Sequence, residues 1–357
     1  MRNKWISLGL LAFTCASLSV FADNCNPTPK CKPKPKPKCE PEPCCKQVPV
    51  KRCRPCCPPD AKYMQDGWGL RIDASALYMK CSTPGGALGI VTTTHGGKTA
   101  TGKVPELNSR MRWGLDLNVG VEFGYGQEAE LAAEWLYITS DFYNNTSTVS
   151  SGLFIIPSLG DADQYTAVSS LNVKSHIVVN FFDVTIGRRY TPFHNVTFKP
   201  FMGVAGVTWR QNFNQTVNGI DVTIPTRNTA HTNIGGGGLV FGTRSDWNFG
   251  WGFSLVGVAK VSLFYDHLSN HAVNYNKTTG AVNTKSHLSF HMMSYNIDFK
   301  AGLQYKYVTC DCKQEFGFGV DWRLTYFEKF SNFGGGGRLV NNNIGFQGLE
   351  INAFVGF

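Results

Sequence analysis

The sequence predicts an all-β protein: a transmembrane, antiparallel, up-and-down barrel of about ten strands, with eight to twelve compatible, behind a Cys/Lys/Pro-rich N-terminal tail without regular structure. Three observations predict it. From Trp68 onward, apolar and polar residues alternate with a period of two, the mark of a strand with only one face in an apolar medium. Aromatic residues bracket the apolar faces at a recurrent spacing, as in Trp68 and Tyr78, Trp113 and Phe123, and Tyr295 and Tyr305. Ten residues of tilted strand rise roughly 25 Å, the height of a lipid-facing band between two aromatic girdles. The connections are also long and short by turns, as in barrels with short turns on one side of a membrane and long loops on the other.

The N-terminal residues justify export and the tail. Met1-Arg2-Asn3-Lys4 leads into an apolar run from Trp5 to Phe21, with compact residues before Asp23, so residues 1–22 read as a secretory signal peptide. Lipidation at Cys15 ranks below ordinary cleavage, because Phe13 and Thr14 suit it badly. No later apolar stretch approaches roughly 18 residues, so any membrane is crossed by strands. Residues 23–62 form the tail, expected on the periplasmic side. It holds ten Lys/Arg against four Asp/Glu, whereas residues 63–357 balance 22 basic against 21 acidic side chains. The net charge of +9 therefore belongs largely to the tail and the signal, and nucleic acid is not an expected partner. The Lys32–Lys38 run of alternating Lys and Pro cannot bury apolar surface and reads as an extended spacer.

Twelve cysteines are present, eight of them between Cys25 and Cys57. An exported chain meets an oxidising compartment, so Cys25, Cys31, Cys39, Cys44, Cys45, Cys53, Cys56, Cys57, Cys81, Cys310 and Cys312 are disulfide candidates. Cys53-Arg54-Pro55-Cys56 has zinc-like spacing but no second spaced pair, so neither a metal nor a cofactor is expected.

The barrel itself is expected over residues 63–357. In the first strand Trp68, Leu70, Ile72, Ala74, Ala76 and Tyr78 share a face opposite Arg71, Asp73 and Ser75. Similar alternation covers residues 111–123, 128–137, 251–265, 293–306 and 315–326, and a weaker form covers 173–190, 196–211 and 231–243. Long linkers are expected at 81–109, 143–172, 212–230 and 267–288, short ones at 124–127, 191–195, 244–248 and 309–313, and an intermediate one at 331–343. Arg71, Asp73, Arg112, Asp116, Glu122, Glu130, Glu134, Lys260, Asp298, Lys300, Asp321 and Arg323 are the predicted lining of a wet lumen. Leu349, Ile351, Ala353, Val355 and Phe357 alternate to a terminal aromatic, the signature that barrel-assembly machinery reads, which makes Phe357 the expected assembly signal.

Gly67-Trp68-Gly69, Ala76-Leu77-Tyr78, the alternating strands ending at Phe357, and paired cysteines outside the membrane together resemble the major outer membrane protein-like porins of chlamydiae and Legionella. The resemblance covers about residues 63–357. It implies a porin and surface antigen of the bacterial outer membrane whose cysteines cross-link the envelope, although the Lys/Pro/Cys tail departs from the family pattern.

Three functions follow as expectations. One is passive diffusion of small hydrophilic solutes, against the alternative of a structural or adhesive surface protein whose barrel is closed by internal ion pairs. The second is envelope cross-linking through intermolecular disulfides, joined by Cys310-Asp311-Cys312, against pairing within the tail. The third, catalysis, is not expected, because no Ser/His/Asp grouping has usable spacing. His267, His271, His287 and His291 flank one outer loop and read more readily as exposed loop residues than as metal ligands. The Gly235–Gly238 and Gly334–Gly337 runs lack the Lys-Ser/Thr of a phosphate loop and read as flexible or tightly packed backbone. Expected partners are outer-membrane lipid, the assembly machinery, disulfide-linked envelope proteins and further copies of the chain.

Overall fold

Ten long strands account for the barrel in the computed structural model, which describes residues 68–82, 89–95, 98–102, 108–123, 129–147, 153–157, 168–193, 195–219, 226–309, 314–332 and 341–357. They are β1 (Trp68–Ser82), β2 (Arg112–Phe123), β3 (Ala129–Ser147), β4 (Val168–Arg188), β5 (Val196–Gly219), β6 (Thr226–Gly250), β7 (Phe253–Asn276), β8 (Val282–Val308), β9 (Glu315–Asn332) and β10 (Asn341–Gly356). Each pairs antiparallel with the next, and β10 pairs with β1 through Arg71↔Gly356 to Ser82↔Gly345, so the sheet closes on itself. Closure leaves no strand edge within the membrane, where an unpaired backbone N–H would find no water. Leu70 and Phe357 complete the seam by exchanging both backbone hydrogen bonds, at 3.0 and 2.8 Å.

Two short strands, Asn108–Ser109 against β3 and Tyr190–Phe193 against β5, extend the same sheet. Gly89–His95, Lys98–Gly102 and Leu153–Pro157 form a separate three-stranded sheet from the chain between β1 and β2 and between β3 and β4. Part of the expected linker 81–109 is thus strand, paired in a sheet separate from the barrel's. The expected signal peptide and tail with its eight cysteines, Cys310, Cys312 and the Gly334–Gly337 run lie outside the described residues.

The alternation has its physical cause in this wall. Ile72, Val119, Val121, Leu131, Val184, Met202, Leu263, Val320 and Ile351 point outward and are exposed, as lipid-facing residues must be. Trp68 stands opposite Phe123, and Tyr78 opposite Trp113, so two of the ten-residue spacings are one membrane span read in opposite directions on neighbouring strands. Trp113 lies 4.9 Å from Tyr78 at one rim. At the other rim Tyr305 sits between Phe253 and Phe318, at 5.0 and 5.6 Å.

Several strands outrun their expected limits. The segment 267–288, expected as a loop, is mostly ladder, because β7 and β8 continue to a tight reversal around Gly280, whose φ is +71°. The expected turn at 244–248 is also strand; the chain reverses instead at Trp251 and Gly252, with φ of 57° and 86°. Asn, Thr, Ser and His hold a ladder as well as apolar residues do once a partner strand is present. The apolar face stops before the hydrogen bonding does, and alternation reports only the former. The Gly235–Gly238 run is tight packing within β6: a Cβ on Gly238 would lie 1.7 Å from the Leu263 carbonyl oxygen, and one on Gly236 would lie 1.8 Å from Asp266 Oδ1.

Candidate functional site: the barrel interior

Inward-facing side chains divide the interior into two layers of opposite character. Toward the end with short turns, where β1 begins and β10 ends, the layer is ionic. Arg323 on β9 is 1 % exposed and reaches four carboxylates: Asp116 at 2.5 Å, Asp298 at 2.7 Å, Glu134 at 3.1 Å and Glu350 at 3.3 Å. Lys260 on β7 bridges Asp183 at 2.9 Å and Glu134 at 3.0 Å, and Lys300 on β8 holds Glu350 at 2.8 Å. Five carboxylates thus share three cations. A charge in so dry a position survives only when paired and hydrogen-bonded, which Thr325 assists by donating to Asp298 at 2.6 Å.

Nearer the turns a second tier pairs off locally. Arg71 contacts Asp73 at 3.0 Å and Glu315 at 3.8 Å, and Lys306 meets Glu315 at 2.8 Å. Lys199 meets Glu130 at 2.5 Å, Arg244 meets Asp246 at 3.0 Å, and Arg189 meets Glu122 at 3.2 Å. Between the tiers a cavity of about 100 Å³ remains, lined by Asp73, Asp116, Glu134, Asp183, Lys260 and Arg323 among others.

Toward the end with long loops the interior is mainly apolar, interleaved with buried polar pairs in which Gln211 donates to Ser175 at 3.2 Å, Asn228 to Gln215 at 3.2 Å, Thr232 to Asn270 at 3.3 Å, and Ser294 to Asp266. Leu77, Met79, Leu136, Ile138, Phe142, Ile177, Val179, Val207, Ile234 and Leu268 form a buried core inside the wall. Trp209 on β5 is 0 % exposed and packs 5.8 Å from Phe327, 5.7 Å from Phe330 and 6.2 Å from Phe346. Phe264 on β7 lies edge-on to Phe330 at 6.2 Å and to Phe181 at 6.0 Å. Rings from β4, β5, β7, β9 and β10 therefore meet across the bore. Lys260, 4.7 Å over the face of Phe181, joins the two layers.

Eleven of the twelve residues expected along the lumen face inward in the ionic layer, but what they line is a mesh of contacts and a small cavity. Asp321 among them accepts a hydrogen bond from the Asn352 amide. Arg112 is a correction: it opens β2 opposite Met79 of the apolar core, away from the ionic layer, and its side chain is 46 % exposed and pairs with Asp141. Cys81 is a second correction. As a disulfide candidate it would need an accessible partner, yet it is a free thiol, 3 % exposed, on the inward face of β1 within the apolar core. Arg244 and Asp246 were missed because their segment reads as a turn. Outward Trp247 and Phe249, two residues apart, were the signal that a strand continues there.

The histidines stand outside the wall. His267 faces His291 with rings 4.8 Å apart, and His271 faces His287 at 6.4 Å. Among the described residues no group of three potential ligands gathers to hold a metal.

Residues 64–357 match the sequence profile of the family described as the Legionella pneumophila major outer membrane protein precursor. The chain belongs to this family. Membership and the closed barrel together place it in the bacterial outer membrane. Among solved structures it is similar to the outer membrane protease OmpT from Escherichia coli, at 11 % identity over 81 % of this chain and 96 % of that one, with a TM-score of 0.40. It is similar also to a major outer membrane protein from Thermus thermophilus, at 14 % identity over 81 % and 99 %, with a TM-score of 0.33. The CymD monoaromatic hydrocarbon channel matches at 10 % identity over 82 % and 89 %, with a TM-score of 0.31. A search of curated proteins found no match.

Proposed function

We propose that this family member serves as a closed barrel, a non-enzymatic structural and surface protein of the outer membrane whose bore is sealed in its ground state. The observation that carries this reading is the packing of Trp209 against Phe327, Phe330 and Phe346 across the bore. Aromatic rings in mutual contact across the bore oppose a continuous water column for an ion, and the ionic tier beneath is tied up in mutual pairs. The test is conductance of the refolded chain in planar bilayers. Wild type is expected to be silent and Trp209→Ala to show openings; steady unitary steps from wild type at low voltage would overturn the reading.

The passive-diffusion reading is favoured by one observation, the polar cavity in which five carboxylates share three cations. A path through it would prefer small cations and would require the aromatic layer to move aside. Selectivity measured on Trp209→Ala separates a cation path from a non-selective leak.

Envelope cross-linking by the tail is part of the same proposal. Its support is that β1 begins at the end where β8 stops and β9 starts, and Cys310 and Cys312 fall between those two strands in the sequence. Non-reducing electrophoresis of isolated envelopes should show ladders that collapse on reduction; monomer alone would argue for pairing within the tail. Recognition of Phe357 by assembly machinery rests on its exposed, lipid-side position at the seam, and Phe357→Ser is expected to lower the yield of inserted protein.

A further inference from the structure

Outside the barrel, just beyond the lipid-facing band at the loop end, β4 to β8 carry an unbroken basic surface. The sequence of outward side chains along each strand fixes where it lies. On β4, exposed Ile186, Val184 and Phe182 lead to His176 and Lys174, and on β5 Met202 and Val204 lead to Thr208 and Arg210. On β6, Phe241 and Leu239 lead to Asn233, His231 and Arg227. On β7, Leu263 and Tyr265 lead to His267 and His271, and on β8 Met293 leads to His291, His287 and Lys285. The basic residues therefore begin where the hydrocarbon-facing residues stop.

Two further facts define the chemistry of this surface. No outward-facing described residue on it is acidic, and the 25-residue stretch from His267 to His291 contains neither Asp nor Glu. Asp141 on β3 marks its border, held by Arg112 and by His176 at 2.6 Å. The donors are also placed in register: His176, Asn212, His231, His271 and His287 are directly opposed on five consecutive strands. His231 is held by Asn212 at 2.8 Å, Arg227 donates to Asn214 at 3.3 Å, and His291 stacks on Tyr265 at 5.2 Å.

We propose that this outward face of β4 to β8 binds the phosphorylated headgroups of lipids in the leaflet that surrounds the loop end of the barrel. Guanidinium, ammonium, imidazole and amide donors, with no carboxylate among them beyond Asp141 at the border, match the several acceptor oxygens of a phosphate. Continuity with the apolar band selects a lipid over a soluble anion, because acyl chains lie against Leu263 and Val204 while the headgroup meets Arg210 and His267. A metal reading fails here, since no three potential ligands converge among the described residues. The inference is independent of whether the bore conducts and rests only on the barrel's seat in the membrane.

The test uses the full chain, refolded in neutral detergent, with diphosphorylated lipid A, the same lipid dephosphorylated, and inorganic phosphate as separate ligands. The diphosphorylated lipid should be retained at least about tenfold better than its dephosphorylated form, with millimolar inorganic phosphate failing to displace it. Neutralising one cation near a charged lipid surface costs about fivefold in affinity, so the triple variant Arg210→Gln, Arg227→Gln, Lys285→Gln should bind roughly 100-fold more weakly. Lys80→Gln, on β1 away from this face, should leave binding unchanged. Heat-modifiable electrophoretic mobility confirms folding; if the triple variant fails that check, Arg210→Gln and Lys285→Gln alone should each show the fivefold loss. Equal retention of the two lipids, displacement by inorganic phosphate, or undiminished binding by the variants would overturn the proposal.

Discussion

The two layers of the barrel interior are built from the same strands and the same inward parity, yet one is an ionic mesh and the other an aromatic core. On β1 the inward series Arg71, Asp73, Ser75 becomes Leu77, Met79, Cys81 within a few residues, and on β9 Asp321 and Arg323 give way to Phe327 and Phe330. Each layer fills the bore by a different physical means. The ionic tier depends on every buried charge finding its opposite, whereas the aromatic tier depends on volume. Removing one ion should therefore disrupt a network, and removing one ring should open a hole.

The largest effect is expected at Arg323. Arg323→Met leaves Asp116, Glu134, Asp298 and Glu350 facing one another with only Lys260 and Lys300 nearby, and should cost about 5 kcal/mol in urea unfolding of the refolded barrel. Adding Asp298→Asn should recover part of that loss, which separates a charge effect from a packing one. Trp209→Ala comes next, at about 3–4 kcal/mol by the same assay, with no rescue from any charge substitution. Gly238→Ala should cost about 2 kcal/mol, because its Cβ has no room beneath the Leu263 carbonyl. The smallest effect belongs to the exposed pair outside both layers: Arg112→Ala should change stability by no more than about 1 kcal/mol. If Arg323→Met proved as mild as Arg112→Ala, the ionic tier would be hydrated and the contrast between the layers would dissolve.

Much of the wall was legible in the sequence, because each strand there separates two media. Trp68 to Tyr78 and Trp113 to Phe123 alternate sharply, since lipid lies on one side and charge on the other. Legibility failed where both sides are apolar: in Ala76-Leu77-Tyr78-Met79 the alternation loses amplitude, so the inward Leu77 and Met79 passed unnoticed. It failed also where both sides are polar, as from His267 to Asn276, where the ladder continues beyond the lipid. Arg112 and Cys81 were misplaced for a related reason. Residue type shows what a side chain tolerates, and position along the bore shows which layer it enters.

By itself the sequence determined the strands, the face each turns to lipid and the even number of crossings, all consequences of period-two patterning against an apolar solvent. Only the tertiary structure decided that Arg323 meets Asp116, 207 residues away, and that Trp209 meets Phe346. Contacts across a bore depend on barrel diameter and stagger, which emerge when the sheet closes, and no local pattern along one strand encodes which residue will stand opposite.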